Sequence, residues 1–187
     1  MAERKSIGEI IRIAVILTVI CMAVSALVSF VYSMTNEIYQ ENLRKVKEEA
    51  ISALFDGAAV SCEPLPITGT QAQELYRVSE DGRVLGYCAN VKSAGFGGDI
   101  ELMVAMGTDG MLIGVEIISL SETPGLGSRV DDADYLAQYD GMSVDQQPLL
   151  GEDVDAISGA TISSRAVLAG VQKALNALKQ YTEVDAK

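Results

Sequence analysis

From Ile13 to Met34 no charged side chain occurs, and this run limits the fold more than any other feature. A helix rises about 1.5 Å per residue, so roughly 20 residues cross a hydrocarbon core about 30 Å thick. The apolar region of a cleaved signal peptide is usually only about 7–15 residues long. No small-x-small cleavage site closes the run before Asn36. A lipoprotein anchor at Cys21 is disfavoured because bulky Ile20 precedes it. The run therefore predicts a retained single-pass transmembrane helix over 13–34, behind a short tail over 1–12.

The basic residues on either side bear on orientation, because Lys and Arg near the ends of a span favour the cytoplasm. Arg4, Lys5 and Arg12 precede the span, while Arg44, Lys45 and Lys47 follow it among Glu37, Glu41, Glu48 and Glu49. The tail's cations sit closest to the membrane. The expected arrangement is a cytoplasmic N-terminus in the inner or plasma membrane, with the rest of the chain outside. Beyond the span, Val46, Ala50, Ala53 and Leu54 repeat at helical spacing. They predict a stalk helix that gives way to a turn-rich linker, Asp56 to Gln71, so that 35–70 connects the span to a domain over 71–187.

With 187 residues in all, the chain has room for one ordinary folded core beyond the anchor. Its formal charge of −12 falls almost wholly on that domain and argues against a nucleic-acid partner, which needs clustered Lys and Arg. There is no His, and with Cys21 in the span only Cys62 and Cys88 remain. Two Cys are too few for a Cys-based zinc or iron–sulfur site, so no metal site is expected. A disulfide between them stays open for a domain outside the cell.

The domain reads as strands followed by helices. Glu74–Ser79 and Val84–Val91 flank Asp81-Gly82, a hairpin signal. Ile100, Leu102, Val104 and Met106 line one face of a further strand, which turns through Thr108-Asp109-Gly110 into Met111–Ser119. That last segment is apolar on both faces and is expected at the centre of the sheet. Asp131–Tyr139 begins with acidic capping residues and predicts a short helix. Ser163 to about Tyr181 carries Val167, Val171, Ala174, Leu175 and Leu178 on one stripe and predicts a longer one. The expected fold class is α+β, with an antiparallel sheet and flanking helices.

Three glycine-bearing loops stand out: Gly95-Phe96-Gly97-Gly98, Glu122-Thr123-Pro124-Gly125-Leu126-Gly127, and Ser158-Gly159-Ala160-Thr161. Each serves as a turn at the least. The third runs through Ile162 and Ser163 straight into a helix, whose first N–H groups lack internal partners and hold a phosphate well. Gly159 and Ala160 add no bulk, and Thr161, Ser163 and Ser164 supply hydroxyls. The residues point to a phosphate site, while a helix cap formed by Ser163 or Ser164 remains the plainer alternative.

The stretch Ser158-Gly159-Ala160-Thr161 resembles the flavinylation motif of the FMN-binding domain family, found in the Rnf complex and in the sodium-pumping NADH:quinone reductase. The resemblance implies FMN esterified through its phosphate to Thr161 by a separate flavin transferase. It also implies that Glu122, Thr123, Pro124, Gly125, Leu126 and Gly127 lie against the flavin. The single span, the Gly97-Gly98-Asp99 lead into a strand and the overall length are similar to the Rnf G subunits. Some members carry a His shortly before the Glu of the second motif, where Leu120 and Ser121 stand here. The function implied is an electron-carrying flavoprotein subunit of a membrane-bound ferredoxin:NAD oxidoreductase that moves Na+ or H+. Its partners would be the other membrane and peripheral subunits, the transferase and the lipid bilayer, and it would have no catalytic residues of its own. The alternatives are a C subunit of the quinone reductase, or a membrane-tethered binding or scaffold domain without a redox role.

Overall fold

The computed structural model describes residues 2–57, 60–67 and 69–182 and divides the chain into two units, Met1–Lys45 and Val46–Lys187. The side chains of Arg4, Lys5 and Glu37, and the whole of residues 183–187, lie outside the described residues. Helix α1 spans Ala2–Leu54. Among the described residues it is the one helix long and apolar enough to cross a membrane. Its most apolar window has a mean hydropathy of 2.7 and none of it is buried.

In the second unit, five strands form one antiparallel sheet in chain order: β1 (Ser61–Pro64), β2 (Glu74–Glu80), β3 (Arg83–Ala94), β4 (Asp99–Gly107) and β5 (Leu112–Leu120). The Asp81-Gly82 turn closes β2 onto β3 with positive φ at both residues, as a tight primed turn requires. β1 lies inside the stretch expected to be linker. Helix α3 (Thr161–Thr182) packs Val167, Val171, Ala174 and Leu175 into the core that holds Tyr87, Val91, Leu102 and Val104. At Gly170 a Cβ would run into Leu102, so the glycine sets how closely α3 approaches the sheet.

Three expectations are corrected. Met111–Ser119 does not run through the middle of the sheet. It becomes β5, the terminal strand, and the centre falls to β3 and β4, whose Met103, Val104 and Ala105 are fully buried. The second face of β4 is covered by Ile51 and Phe55 at the end of α1, which cluster with Val78, Cys88, Met103 and Ala105. On that helix end the inward residues are Lys47, Ala50, Ile51 and Phe55, while Val46 and Ala53 are exposed. Lys47 turns inward because buried Glu101 (3.4 Å) and Glu74 (2.6 Å) bind its ammonium, and Lys92 supports Glu101 at 3.4 Å. A charged residue on the packed face hid the helical period from a reading based on hydrophobicity.

The segment Asp131–Tyr139 is broken into the 3-10 turn Gly127–Asp131, α2 (Ala133–Leu136) and the 3-10 turn Ala137–Tyr139. Val130, Tyr135 and Tyr139 are all buried. Val130 and Tyr135, five positions apart, would diverge by roughly 140° on one regular helix. Asp132 stands at the start of α2 without a side-chain capping bond. Cys62 and Cys88 are both free, on β1 and β3 with β2 between them. Two strand spacings of about 4.8 Å exceed the roughly 7 Å that a disulfide can span.

Candidate functional site

The start of α3 is built by a tight turn. Ala160 N–H donates to the Ile157 carbonyl at 2.9 Å, and Gly159 takes φ +83°, a region that favours glycine. The fully buried Ser164 hydroxyl accepts from Ile157 N–H and donates to the Ala160 carbonyl, each at 3.1 Å. The first helical bond runs from Ser164 N–H to the Ala160 carbonyl at 2.9 Å. Ala160 therefore holds the capping position and brings no side-chain acceptor to it. The N–H groups of Thr161, Ile162 and Ser163 precede the first intrahelical acceptor and carry the helix's partial positive charge outward. Neither Ser163 nor Ser164 caps the helix.

A second loop leaves β5 and is tied through Glu122 to the turn between β3 and β4. Glu122 is 8% exposed, and its carboxylate accepts the N–H of Phe96 at 2.7 Å and of Gly97 at 3.3 Å. Gly95 N–H donates to the Gly98 carbonyl at 2.8 Å, closing the turn that presents those donors. The glycines make room for the acid. A Cβ on Gly127 would lie 2.6 Å from Glu122 Oε2 and 2.9 Å from Ser163 Oγ, and one on Gly95 would meet Oε1. Gly97 and Gly98 lie against the backbone and side chain of Ser121. Pro124-Gly125 forms the bend expected of that pair: Gly125 has φ +74° and Leu126 N–H reaches the Thr123 carbonyl at 3.2 Å.

The three loops meet around a cleft of about 290 Å3, near the lower end of the range for ligand pockets. Glu122, Thr123, Leu126 and Gly127 line it from one side, and Gly159, Ala160, Thr161, Ile162 and Ser163 from the other. Ser158, Pro124, Gly125, Gly97 and Gly98 stand outside the lining and shape it through the backbone. Phe96 also lines the cleft, which the sequence reading left out of the site. An aromatic residue between glycines in an exposed loop was the available signal. Phe96, Leu126 and Ile162 are 71%, 47% and 51% exposed and form an apolar mouth. Behind the cleft, Tyr135 donates to the Ser164 carbonyl at 3.3 Å. Burial pushes the phenols of Tyr135 and Tyr139 up, so both stay neutral at physiological pH. Among the described residues no group of three or more Cys, Asp and Glu is placed to hold a metal. The cleft can take a flat apolar ring at its mouth, and an anion at the start of α3 beside the Thr161 hydroxyl.

Residues 95–176 match the FMN-binding domain family. In Clostridium ljungdahlii, the G subunit of the proton-translocating ferredoxin:NAD(+) oxidoreductase complex is 27% identical, over 97% of this chain and 98% of its own length. In Methanosarcina acetivorans, the G subunit of the ion-translocating oxidoreductase complex is 30% identical, over 90% of this chain and 94% of its own. The crystal structure of NqrC from Shewanella oneidensis superposes with a TM-score of 0.46 at 23% identity, covering 63% of this chain and 69% of that one.

Proposed function

Because the chain belongs to the family of G subunits of ion-translocating oxidoreductase complexes, we propose that it is the electron-carrying flavoprotein subunit of a membrane-bound ferredoxin:NAD oxidoreductase. In this reading FMN is held by a phosphoester to Thr161. The observation that carries it is the position of Thr161: the first residue of α3, exposed, on the wall of the cleft beside three N–H groups without helical acceptors.

The residues present fit FMN. The start of α3 suits the phosphate, and Leu126, Ile162 and Phe96 offer apolar surface to the ring system. A Cβ on Gly159 would lie 3.1 Å from Leu126, so the glycine leaves this part of the cleft open and would give a bound flavin room there. Bound flavin supplies one- and two-electron transfer, and the chain supplies attachment, orientation and electrostatics. Among the described residues Glu122 is the one ionisable side chain lining the cleft, and its carboxylate is engaged by two backbone donors. It is not free to act as a base, so no independent substrate turnover is expected. α1 anchors the chain in the cell membrane with the second unit on the extracytoplasmic side. The other subunits of the complex couple electron flow to Na+ or H+ movement, and a flavin transferase installs the cofactor.

Co-expression with a flavin transferase, followed by ultraviolet fluorescence of the denatured protein on a gel, tests attachment. Mass spectrometry should then place FMN less one water on the tryptic peptide that ends at Arg165, and on Thr161 within it. An unmodified peptide under those conditions refutes the covalent link and favours a scaffold without a redox role. Sidedness is tested separately by an impermeant thiol reagent on Asp185→Cys, at a position outside the described residues. Labelling of intact cells is expected, and labelling only after lysis reverses the orientation.

A further inference from the structure

A second concave feature lies away from the flavin cleft, at the open edge of the sheet. β5 is the terminal strand, and among the described residues its outer side bonds near its start, where Leu112 exchanges hydrogen bonds with Gly141 and Met142. From Gly114 onward no described strand lies on that outer side, while β4 pairs with the inner one. A groove of about 380 Å3 runs along this edge. Ala53, Leu54 and Asp56 form one wall, Ala133, Leu136, Ala137 and Asp140 the other, and Ile113 to Glu116 the floor.

Apolar Ile113 and Leu54 lie beside carboxylates in this groove, and more of its surface is polar than apolar. Among the described residues three carboxylates, Asp56, Glu116 and Asp140, line the groove and no Lys or Arg does. Asp131 adds a fourth charge close to Glu116, and burial together with that neighbour pushes the Glu116 carboxyl up. Glu116 and Asp131 thus repel one another, and a cation brought between them would relieve that repulsion. Gly114 sets the depth of the groove. Its φ is not positive, so backbone geometry does not call for glycine there. A Cβ at this position would lie 3.0 Å from Leu54 Cδ2 and 3.5 Å from Asp140 Oδ1, and a larger side chain would fill the channel. Glycine inside a strand often marks a close approach, and here Leu54 at the end of α1 makes that approach. Neither Pro nor Lys interrupts β5, although such residues commonly protect a free edge.

We propose that this groove receives an extended segment of a partner subunit, apolar at its centre and carrying Lys or Arg on its flanks. The segment lies along the free edge of β5, where backbone hydrogen bonds are on offer. Its aliphatic stems cross Ile113, Gly114 and Leu54, and its cations reach Asp56, Glu116 and Asp140. The inference rests on the chain working within a complex and is independent of the flavin.

The test is carboxylate footprinting with a water-soluble carbodiimide and glycine ethyl ester. It is applied to the complex purified from membranes and to the full chain purified alone in detergent. Amidation of Asp56, Glu116 and Asp140 should fall by about a factor of ten in the complex, as an occupancy near ten to one requires. With the ester omitted, the carbodiimide should join one of the three to a Lys of another subunit. Gly114→Leu should abolish the protection. Should that variant not fold, Glu116→Gln with Asp140→Asn keeps the shape, removes the charge and should release this subunit at lower salt. Equal amidation in both samples overturns the inference, as does protection in the isolated chain that disappears on dilution, which would point to a second copy. Protection and salt resistance unchanged in the variants also overturn it. A chain that co-purifies with no other subunit refutes its place in a complex, whereas one that co-purifies with its groove fully labelled refutes this inference alone.

Discussion

Glu122→Ala should destabilise the second unit by about 2 kcal/mol. The carboxylate accepts two backbone N–H groups, and bonds to a charged acceptor are typically worth about 1.5–3 kcal/mol each. Phe96 and Gly97 are exposed, so the freed donors bond to water and recover much of that sum. What remains is the residual bond energy and the void left between Gly95 and Gly127, which are bare because the acid occupies their Cβ positions. For a unit of this size, 1 kcal/mol moves the melting temperature by roughly 4 °C, so a drop of about 8 °C is expected. Glu122→Gln keeps the volume and one acceptor but turns an NH2 towards a donor, and should cost about half as much. Far-UV circular dichroism melts of the full chain in detergent measure both, and hydrogen exchange at residues 95–98 should quicken in both. An alanine variant melting within about 1 °C of the parent, or a glutamine variant less stable than the alanine one, would refute the assignment of Glu122 as the tie between the loops.

Thr161→Val should lose the flavin and ferredoxin-to-NAD electron transfer while the partner subunits still co-purify. Its stability should stay within about 1 kcal/mol, because the hydroxyl is exposed and Ala160 already holds the cap. Full activity without flavin would remove this unit from the electron path. Lys47→Met leaves Glu101, with its side chain 4% exposed, supported by Lys92 alone and should cost about 2–3 kcal/mol in denaturant melts. Adding Glu101→Met should recover most of that loss. The Glu116 carboxyl is raised by burial and by Asp131, so the folded state keeps its proton to higher pH than the unfolded chain does. Stability drawn from it is therefore present at low pH and fades as pH rises through the folded value. Glu116→Gln should melt above the parent at pH 7 and level with it near pH 3, and the reverse order would contradict the shift.

Much of the site was legible in the chain because its signals are local. The Pro124-Gly125 bend, the Ser158–Thr161 turn and the helix behind it depend on backbone geometry that a few neighbouring residues determine. What joins them is not local. Glu122 and Phe96 lie far apart in sequence, and nothing near either residue shows that one carboxylate holds the other loop. That bond helps hold the loop that brings Phe96 to the cleft.

By itself, the sequence determined the features that chain composition and short spacings control. These are the long uncharged helix, the antiparallel hairpins turned by Asp81-Gly82 and Gly110, the apolar stripe of α3 and the glycine loops. Only the tertiary structure decided which strand was central, because the apolar faces of Met111–Ser119 fit an edge half covered by its neighbours as well as they fit a buried core. It also decided that the end of α1 covers the sheet through Lys47, whose charge reads as solvent-facing until Glu74 and Glu101 appear beside it. It separated Cys62 from Cys88 by a whole strand. Burial, charge pairing and strand order are properties of segments distant in the chain, and they take definite values only when the folded backbone brings those segments together.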